Sequence, residues 1–370
     1  MSSPTTGGAG PPPFRLFGAE RSYFTGKARA ALRAKRVFFE EILPTPTAMA
    51  EIRRRTSLLF IPIVVTPEDD TWQDTSDIID ALETRIPEPA LIPATPLQRI
   101  VAYLLEVYAD EFLILPALHY RWSTPDGERE AREAFAAASG DAASAKRLAD
   151  MVSGMLPFIG VTPHTIPAIV AHVDDLLAHL ESIFAEQAFL LGGQPSLADC
   201  ALLGPLYAHL YLDLVPGPLV RARAPRVAHW IERMNHPDPA TFSGFAAGDA
   251  LHPALLRLLA LVGADAAPLL LDTAAAFDAW ADEQPGEGFE PPRAIGGHQT
   301  HLRGVELSRV TSAYTLWMLQ RPLDAYRALD AGARAHVDAA LAGTGCERLL
   351  AHRPRHRLAK RRFQLWGTRV

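Results

Sequence analysis

The chain has little cysteine: Cys200 and Cys346 are the two in 370 residues, too few for a disulfide framework. It also lacks a run of about 20 uninterrupted apolar residues, the minimum for a membrane span. Its most apolar long stretch, Leu255 to Leu271, is broken by Arg257 and Asp265, so no transmembrane helix is expected. A large excess of one charge is missing too. A net charge of −6 and a pI near 6.1 argue against a general polyanion binder. There is no internal repeat, and the start does not read as a charged and apolar secretory signal, so the expectation is a cytoplasmic protein. What is present is 48% hydrophobic and 21% charged residues, enough apolar material for real cores and, at this length, for two or three domains.

One stretch organises the start. Phe14, Leu16 and Phe17 form a short apolar strand that Gly18 breaks, and Ala28, Ala31, Leu32 and Lys35 then repeat at helical spacing. Thr25 is the expected N-cap, which leaves Ser22 in the turn. A side chain there lies among unpaired N–H groups at the positive end of a helix dipole, where an anion is stabilised by up to about 1 kcal/mol. Ser22 therefore reads either as a solvated turn serine or as a group that can hold a thiolate. Downstream, Val37–Leu43 fits a second strand and Ala48–Thr56 a short basic helix. Phe60-Ile-Pro-Ile-Val-Val65 is an apolar strand opening on Ile-Pro, and Trp72–Leu82 is a turn entering a further helix. The order is βαβ, then ββα. Asp74 and Thr75 precede Ile78, Ile79 and Leu82, and read either as helix caps or as ligand-binding groups.

These residues resemble the glutathione transferase family. Ser22-Tyr-Phe-Thr-Gly-Lys-Ala-Arg29 is similar to that family's Ser-Pro-Phe-x-x-Lys/Arg-Val-Arg motif. Ile61-Pro62 resembles its cis-proline step, and Asp74-Thr-Ser-Asp-Ile78 its Glu-Ser-x-x-Ile segment. Ser196-Leu-Ala-Asp199 resembles the capping box of its helical domain. The resemblance implies an α+β thioredoxin-like N-terminal domain followed by an all-α C-terminal domain. It also implies a glutathione site made by Ser22, Ile61, Pro62, Asp74 and Thr75. Residues alone favour a trans bond at Pro62, since only about 5–6% of X–Pro bonds in folded proteins are cis; the resemblance implies cis. Asp and Thr stand at 74 and 75 where the family usually has Glu and Ser, and the acceptor and hydroxyl chemistry is kept.

The expected organisation is a flexible tail at 1–13, a thioredoxin-like domain at 14–86, a proline-rich linker at 87–96, a helical domain at 97–244 and a mainly helical extension packed on it at 245–370. Helical spacing is read over Leu97–Leu115, ended by Pro116, and over Glu128–Met155, Ile166–Leu191, Leu255–Ala281 and Leu307–Leu341. Ser196 and Asp199 satisfy a capping box, a folding device whose loss costs about 1 kcal/mol.

Asp110-Glu111 and His119-Tyr-Arg-Trp122 lie where the resemblance places the second-substrate cleft, and they read equally as satisfied helix-end groups. Tyr23, Tyr108, His119 and Trp122 are the candidate cleft residues. His298 and His301 lack a third spaced ligand, so no metal is expected. The basic run His352–Arg362 reads as a contact for nucleic acid or an anionic surface, as a solvated tail, or as a strip packed on an acidic subunit face.

With no cysteine between Ser22 and Lys27, mixed-disulfide chemistry is a poor fit. Arg21 and Lys27, near Ser22 in the sequence, read either as a source of positive potential or as groups facing water. Phe17 and Gly18 stand near where tyrosine-based members carry their tyrosine, which leaves Tyr23 as the second-ranked catalytic candidate. The expected chemistry is a serine-type glutathione transferase in which Ser22 donates a hydrogen bond to the glutathione sulfur, the partners being glutathione and a small electrophile. A noncatalytic ligand-binding or protein-interaction member is the alternative. A homodimer is implied by the resemblance; nucleic acid and membrane are not expected as partners.

Overall fold

The computed structural model describes residues 12–370, the side chain of residue 139 excepted. The expected flexible tail lies, for residues 1–11, outside this part. Strand β1 (Phe14–Phe17) leads into helix α1 (Tyr23–Ala34), followed by β2 (Phe39–Ile42), α2 (Pro46–Thr56), β3 (Ile63–Val65), β4 (Thr71–Gln73) and α3 (Thr75–Arg85). The strands are ordered β2-β1-β3-β4, with β1 parallel to β2 and antiparallel to β3, and β3 antiparallel to β4. The two-residue period of each strand decides which face covers what. Leu16 and Val64 join Ala28, Leu32, Ile78 and Ile79 in the main core, whereas Phe17, Ile63 and Val65 pack with Ala48 and Ile52 of α2. This is the thioredoxin-like arrangement.

The helical part comprises α4 (Pro96–Val107), a π-helical turn (Tyr108–Phe112), α5 (Ile114–Trp122), α6 (Pro125–Ser139), α7 (Ala142–Gly154), α8 (Leu156–Ile159) and α9 (Ile166–Phe184). After these come α10 (Leu197–Pro205), a second π turn (Leu206–Tyr211), α11 (Pro216–Arg223) and α12 (Pro225–Asn235). Three expected boundaries differ. Helix α9 ends at Phe184 and does not run on to Leu191. Pro116 does not end the first helix: it sits in the first turn of α5, where a missing N–H costs little. The region Glu128–Met155 divides into α6 and α7 at Gly140, whose φ of 64° suits glycine.

Helix α1 packs on α10 through two glycines. A Cβ added at Gly26 would lie 3.2 Å from Gly204 Cα, and one at Gly204 would lie 2.6 Å from the Tyr23 carbonyl oxygen. The capping box forms as expected: Ser196 accepts from the Asp199 amide, and Asp199 Oδ2 accepts from the Ser196 amide at 2.9 Å. The other Asp199 oxygen accepts from the Leu190 amide and the Trp230 indole, both at 3.0 Å, which anchors α12 to the same point.

Beyond Phe245 the chain is mainly helical but not wholly so. It contains α13 (Pro253–Leu261), a third π turn (Val262–Ala266), α14 (Ala267–Asp282), β5 (Gly288–Phe289), β6 (Gly297–Leu302) and β7 (Val305–Val310). It ends with α15 (Ala313–Arg327), α16 (Ala331–Leu341), α17 (Glu347–Ala351), β8 (His356–Arg361) and β9 (Gln364–Arg369). Pro253–Asp282 is one continuous helix that by length and composition is long and apolar enough to cross a membrane, yet 67% of its apolar window is buried inside the fold.

Two readings of this part change. Val305–Val310 is a strand where helical spacing was read from Leu307. It pairs with β6 through a two-residue turn, Arg303-Gly304, with φ of 52° and 77°. The basic run is neither a tail nor solvated throughout, since it forms β8 in the sheet β5-β9-β8.

Helix α15 lies on α4 and is tied to it by ion pairs. Arg321 Nε donates to Glu106 Oε2 at 2.9 Å, and its terminal nitrogens donate to both oxygens of Asp80 on α3, at 2.7 and 3.0 Å. Because Glu106 is fully buried, a protein truncated after Gly244 loses one of its cations as well as the cover of α4. Stripping one partner from a buried pair costs roughly 3–5 kcal/mol. The truncated protein is expected to aggregate, or to melt well below the parent in calorimetry. A soluble fragment that melts like the parent would make the extension an independent module.

Candidate functional site

The first turn of α1, at Phe24, and the start of α3 face one cavity of about 350 Å³. Leu58, Phe60, Ile61 and Pro62 supply one wall, with Ile61-Pro62 in the cis form. Gln73, Asp74 and Thr75 supply the next, at the N-terminus of α3. Asp74 caps this helix by accepting the Ser76 amide at 3.0 Å, and its φ of 75° is a left-handed conformation that places the carboxylate at the cavity edge. The π turn contributes Asp110 and Glu111, and α1 contributes Phe24. The opposite wall is built by the extension, including Pro291, Arg293, Tyr314, Met318, Lys360 and Phe363.

The predicted site residues divide into two groups. Ile61, Pro62, Asp74 and Thr75 line the cavity together, although 11 residues of chain separate Pro62 from Asp74. Ser22 is not on its wall. Ser22, and not Thr25, is the N-cap of α1: its extended backbone (φ −94°, ψ 127°) brings Oγ to accept the Thr25 amide at 3.4 Å, so the helix begins at Tyr23. The Ser22 hydroxyl proton is left to donate elsewhere. Tyr23, Tyr108, His119 and Trp122 are also off the wall and buried. The Tyr23 hydroxyl donates to the Ala109 carbonyl, and burial, then the Asp110 carboxylate, pushes its pKa well above that of an ordinary phenol. Tyr108 and His172 share a hydrogen bond at 2.6 Å, with His172 bonded in turn to Asp265 at 2.8 Å. His119 is held neutral to lower pH by burial. Of the two π-turn acids, both face the cavity.

Below the cavity floor is a cluster of buried charge. Lys27 Nζ donates to Glu106 Oε1 at 2.7 Å and Asp110 Oδ2 at 2.5 Å, so Lys27 does not face water as its position on an exposed-looking motif allowed. Ser76 Oγ donates to the same Glu106 oxygen at 2.7 Å. Burial opposes ionisation of all three charged groups; Arg321 and Lys27 together outweigh it at Glu106, whose pKa is lowered. At Asp110 burial wins over the one ammonium, aided by repulsion from Glu106 and Glu111, and its pKa is raised. Asp110 Oδ1 has no hydrogen-bond partner among the described residues.

Arg21, the other basic residue of the turn, pairs with Glu130 at 2.6 Å and is part exposed. Among the described residues no group of three or more His, Cys, Asp or Glu is placed to hold a metal. His298 is bonded instead to Thr273 and Thr311, at 3.0 and 2.8 Å.

Sequence reasoning missed Phe24, Phe60, Gln73, Tyr314 and Lys360. No alternation marks Lys360: His356-Arg-Leu-Ala-Lys-Arg361 sets two apolar residues between two polar pairs, so the run reads as charge and not as a half-buried strand.

Residues 16–90 match a family model described as Glutathione S-transferase, N-terminal domain, and residues 163–233 match one described as Glutathione S-transferase, C-terminal domain. No curated protein matches the chain by sequence. Solved structures similar to it include the beta-etherase LigF from Sphingobium sp. strain SYK-6, at 17% identity over 61% of this chain and 96% of that one, with a TM-score of 0.45. A glutathione S-transferase from Methylobacterium radiotolerans JCM 2831, solved with glutathione sulfonate, is 23% identical over 64% of this chain and 96% of its own, with a TM-score of 0.39. FzlA from C. crescentus is 17% identical over 66% and 98%, with a TM-score of 0.41.

The buried acid cluster predicts a pH signature. A carboxyl whose folded pKa is raised stabilises the fold while protonated, and that contribution is lost as pH rises from the unfolded to the folded value. For Asp110 the window runs from 3.8 to about 7. Asp110→Asn keeps an acceptor for Lys27 but cannot ionise, so urea unfolding should show the variant gaining on the parent as pH rises through this window. A stability difference that is flat with pH would mean that Asp110 ionises without penalty.

Proposed function

Because the chain belongs to the glutathione transferase family, we propose that its cavity binds glutathione and that the protein activates the glutathione thiol for attack on a small electrophile. The observation that carries this reading is the meeting of Ile61 and Pro62 with Asp74 and Thr75 on one wall of the 350 Å³ cavity. Cavities of about 300–1,000 Å³ are the size that small ligands use. Asp74 supplies a carboxylate for the γ-glutamyl ammonium. Thr75, at the first turn of α3, supplies a hydroxyl and an unpaired helix-end amide for the α-carboxylate. Ile61 supplies backbone groups for the cysteinyl unit.

In this proposal Ser22 stabilises the sulfur as thiolate. A free thiol titrates near about 8.5, and a hydroxyl donor beside a helix N-terminus lowers that value and raises the nucleophilic fraction at neutral pH. Ser22 is then an electrostatic stabiliser and forms no covalent intermediate. A cytoplasmic, detoxifying conjugation of electrophiles is the role that goes with this chemistry.

One observation favours a noncatalytic, ligand-binding or protein-interaction reading: Ser22 lies off the cavity wall while the γ-glutamyl groups lie on it. The two readings separate experimentally. In calorimetry the parent is expected to bind glutathione, and Thr75→Val, which removes the hydroxyl assigned to the α-carboxylate, to bind it about tenfold more weakly, the worth of a hydrogen bond to a charged group. Equal binding by the variant removes the γ-glutamyl assignment. Ser22→Ala should then bind glutathione normally but show less thiolate absorbance in the bound state; no change would favour the noncatalytic reading.

A homodimer is part of the proposal, to be checked by sedimentation at micromolar concentration. Since α15 already covers α4, with Arg321 joined to Glu106 and Asp80, the dimer must use other surface. A monomeric mass would remove it.

A further inference from the structure

Asp74 has an internal partner. Lys360, on β8, reaches back across the cavity and places Nζ 2.8 Å from Asp74 Oδ2 and 2.6 Å from Asp77 Oδ2. Its side chain is 10% exposed and lies over the Trp317 ring, 4.9 Å from the centroid. The other Asp74 oxygen is taken by the Ser76 amide, so both acceptors of this carboxylate are engaged within the chain. A primary ammonium between two carboxylates is the chemistry that the ammonium of an amino-acid ligand offers at the same point.

We propose that Lys360 is a specificity-determining residue that stands in for the ligand's α-ammonium, so that glutathione must displace it from Asp74. This rests on the glutathione reading of the cavity. The geometry leaves a ligand two routes. One that carries the ammonium competes with a tethered cation, whose effective concentration at Asp74 is high because β8 is held in a sheet with β5 and β9. One that lacks the ammonium meets Asp74 and Asp77 already paired with Lys360 and loses little. The parent is therefore a weak discriminator between glutathione and the same tripeptide with glutaryl in place of γ-glutamyl, two molecules that differ in the ammonium alone. Removing the Lys360 charge exposes two carboxylates, and the site becomes selective for the ammonium.

Other cations around the cavity do not repeat this role. Arg321 is committed to Asp80 and Glu106, and Lys27 to Glu106 and Asp110. Arg293 lies against the Phe60 ring, 3.6 Å from its centroid.

The experiment measures Kd for glutathione and for the glutaryl analogue by calorimetry in the parent, Lys360→Met and Lys360→Arg, with a thermal melt to show that each is folded. Lys360→Met is expected to bind glutathione on the order of tenfold more tightly than the parent, with the analogue unchanged. Lys360→Arg, which keeps the cation, is expected to match the parent. Three results overturn the inference. If Lys360→Met binds glutathione no more tightly, Lys360 does not compete. If both ligands gain equally, or Lys360→Arg gains as much as Lys360→Met, the effect is loosened packing and not charge. If neither the parent nor either variant binds glutathione or the analogue, the glutathione reading itself fails and takes the inference with it.

Discussion

A single ammonium holds three parts of this chain in register. Lys27 leaves α1, enters the interior and meets Glu106 and Asp110 of the α4 region, while Arg321 of α15 approaches Glu106 from the other side. Burying these groups is costly, and their mutual attraction compensates only if the geometry is good and the spare lone pairs are met. Glu106 meets that condition through Lys27, Ser76 and Arg321. An apolar contact tolerates sliding, since burial is non-directional. An ammonium shared between two carboxylates does not, so the cluster sets the position of α1 and α3 relative to α4 in a way that the surrounding leucines cannot.

That registration makes the cavity. Ser76, bonded to Glu106, is one residue from Thr75 and two from Asp74, so the start of α3 is fixed to the same carboxylate that holds Lys27. The π turn at Tyr108–Phe112 does the corresponding work on the helical side. In a regular helix consecutive residues point about 100° apart and only one of two neighbours serves a given direction. Here Asp110 turns to Lys27 while Glu111 accepts from Thr315 of α15 at 2.6 Å, and both line the cavity. The widened turn, a feature often found at functional sites, lets two adjacent acids serve two different neighbours.

What could be read from the sequence follows from the range of the interactions. The strand-turn-helix at Phe14–Ala34, the Asp74 cap and the Ser196–Asp199 box are local, and their residue types announce them. The start of α1 was misplaced by three residues because Ser22 and Thr25 are both good caps and only the extended backbone at Ser22 decides between them. Pro116 looked like a stop because the π turn ahead of it, which lets a new helical turn begin, has no signature of its own in the residues. Lys27 looked basic and solvated, for nothing within its helix reveals that Glu106 and Asp110 lie against it. The far wall of the cavity was illegible for the same reason: the pairing of Lys360 with Asp74 and Asp77 spans most of the chain.

The basic run at 352–362 shows how a charge pattern can mislead when its partners are distant. Read alone it offers positive charge to an anionic surface. Folded, Arg355 pairs with Asp282 at 2.7 Å, Arg357 with Asp324 at 2.5 Å, and Lys360 with Asp74 and Asp77, while Arg361 lies over the Trp366 ring. Three of its six Lys and Arg charges are therefore answered by carboxylates within the chain. The acids that receive Lys360 do not depend on it. Asp74 and Asp77 stand at the N-terminus of α3, where the helix dipole favours negative charge by a few tenths to 1 kcal/mol and Asp74 already caps the Ser76 amide. Helix and hairpin thus each hold their own side of the contact by local means, and the ion pair between them can open without either element coming apart.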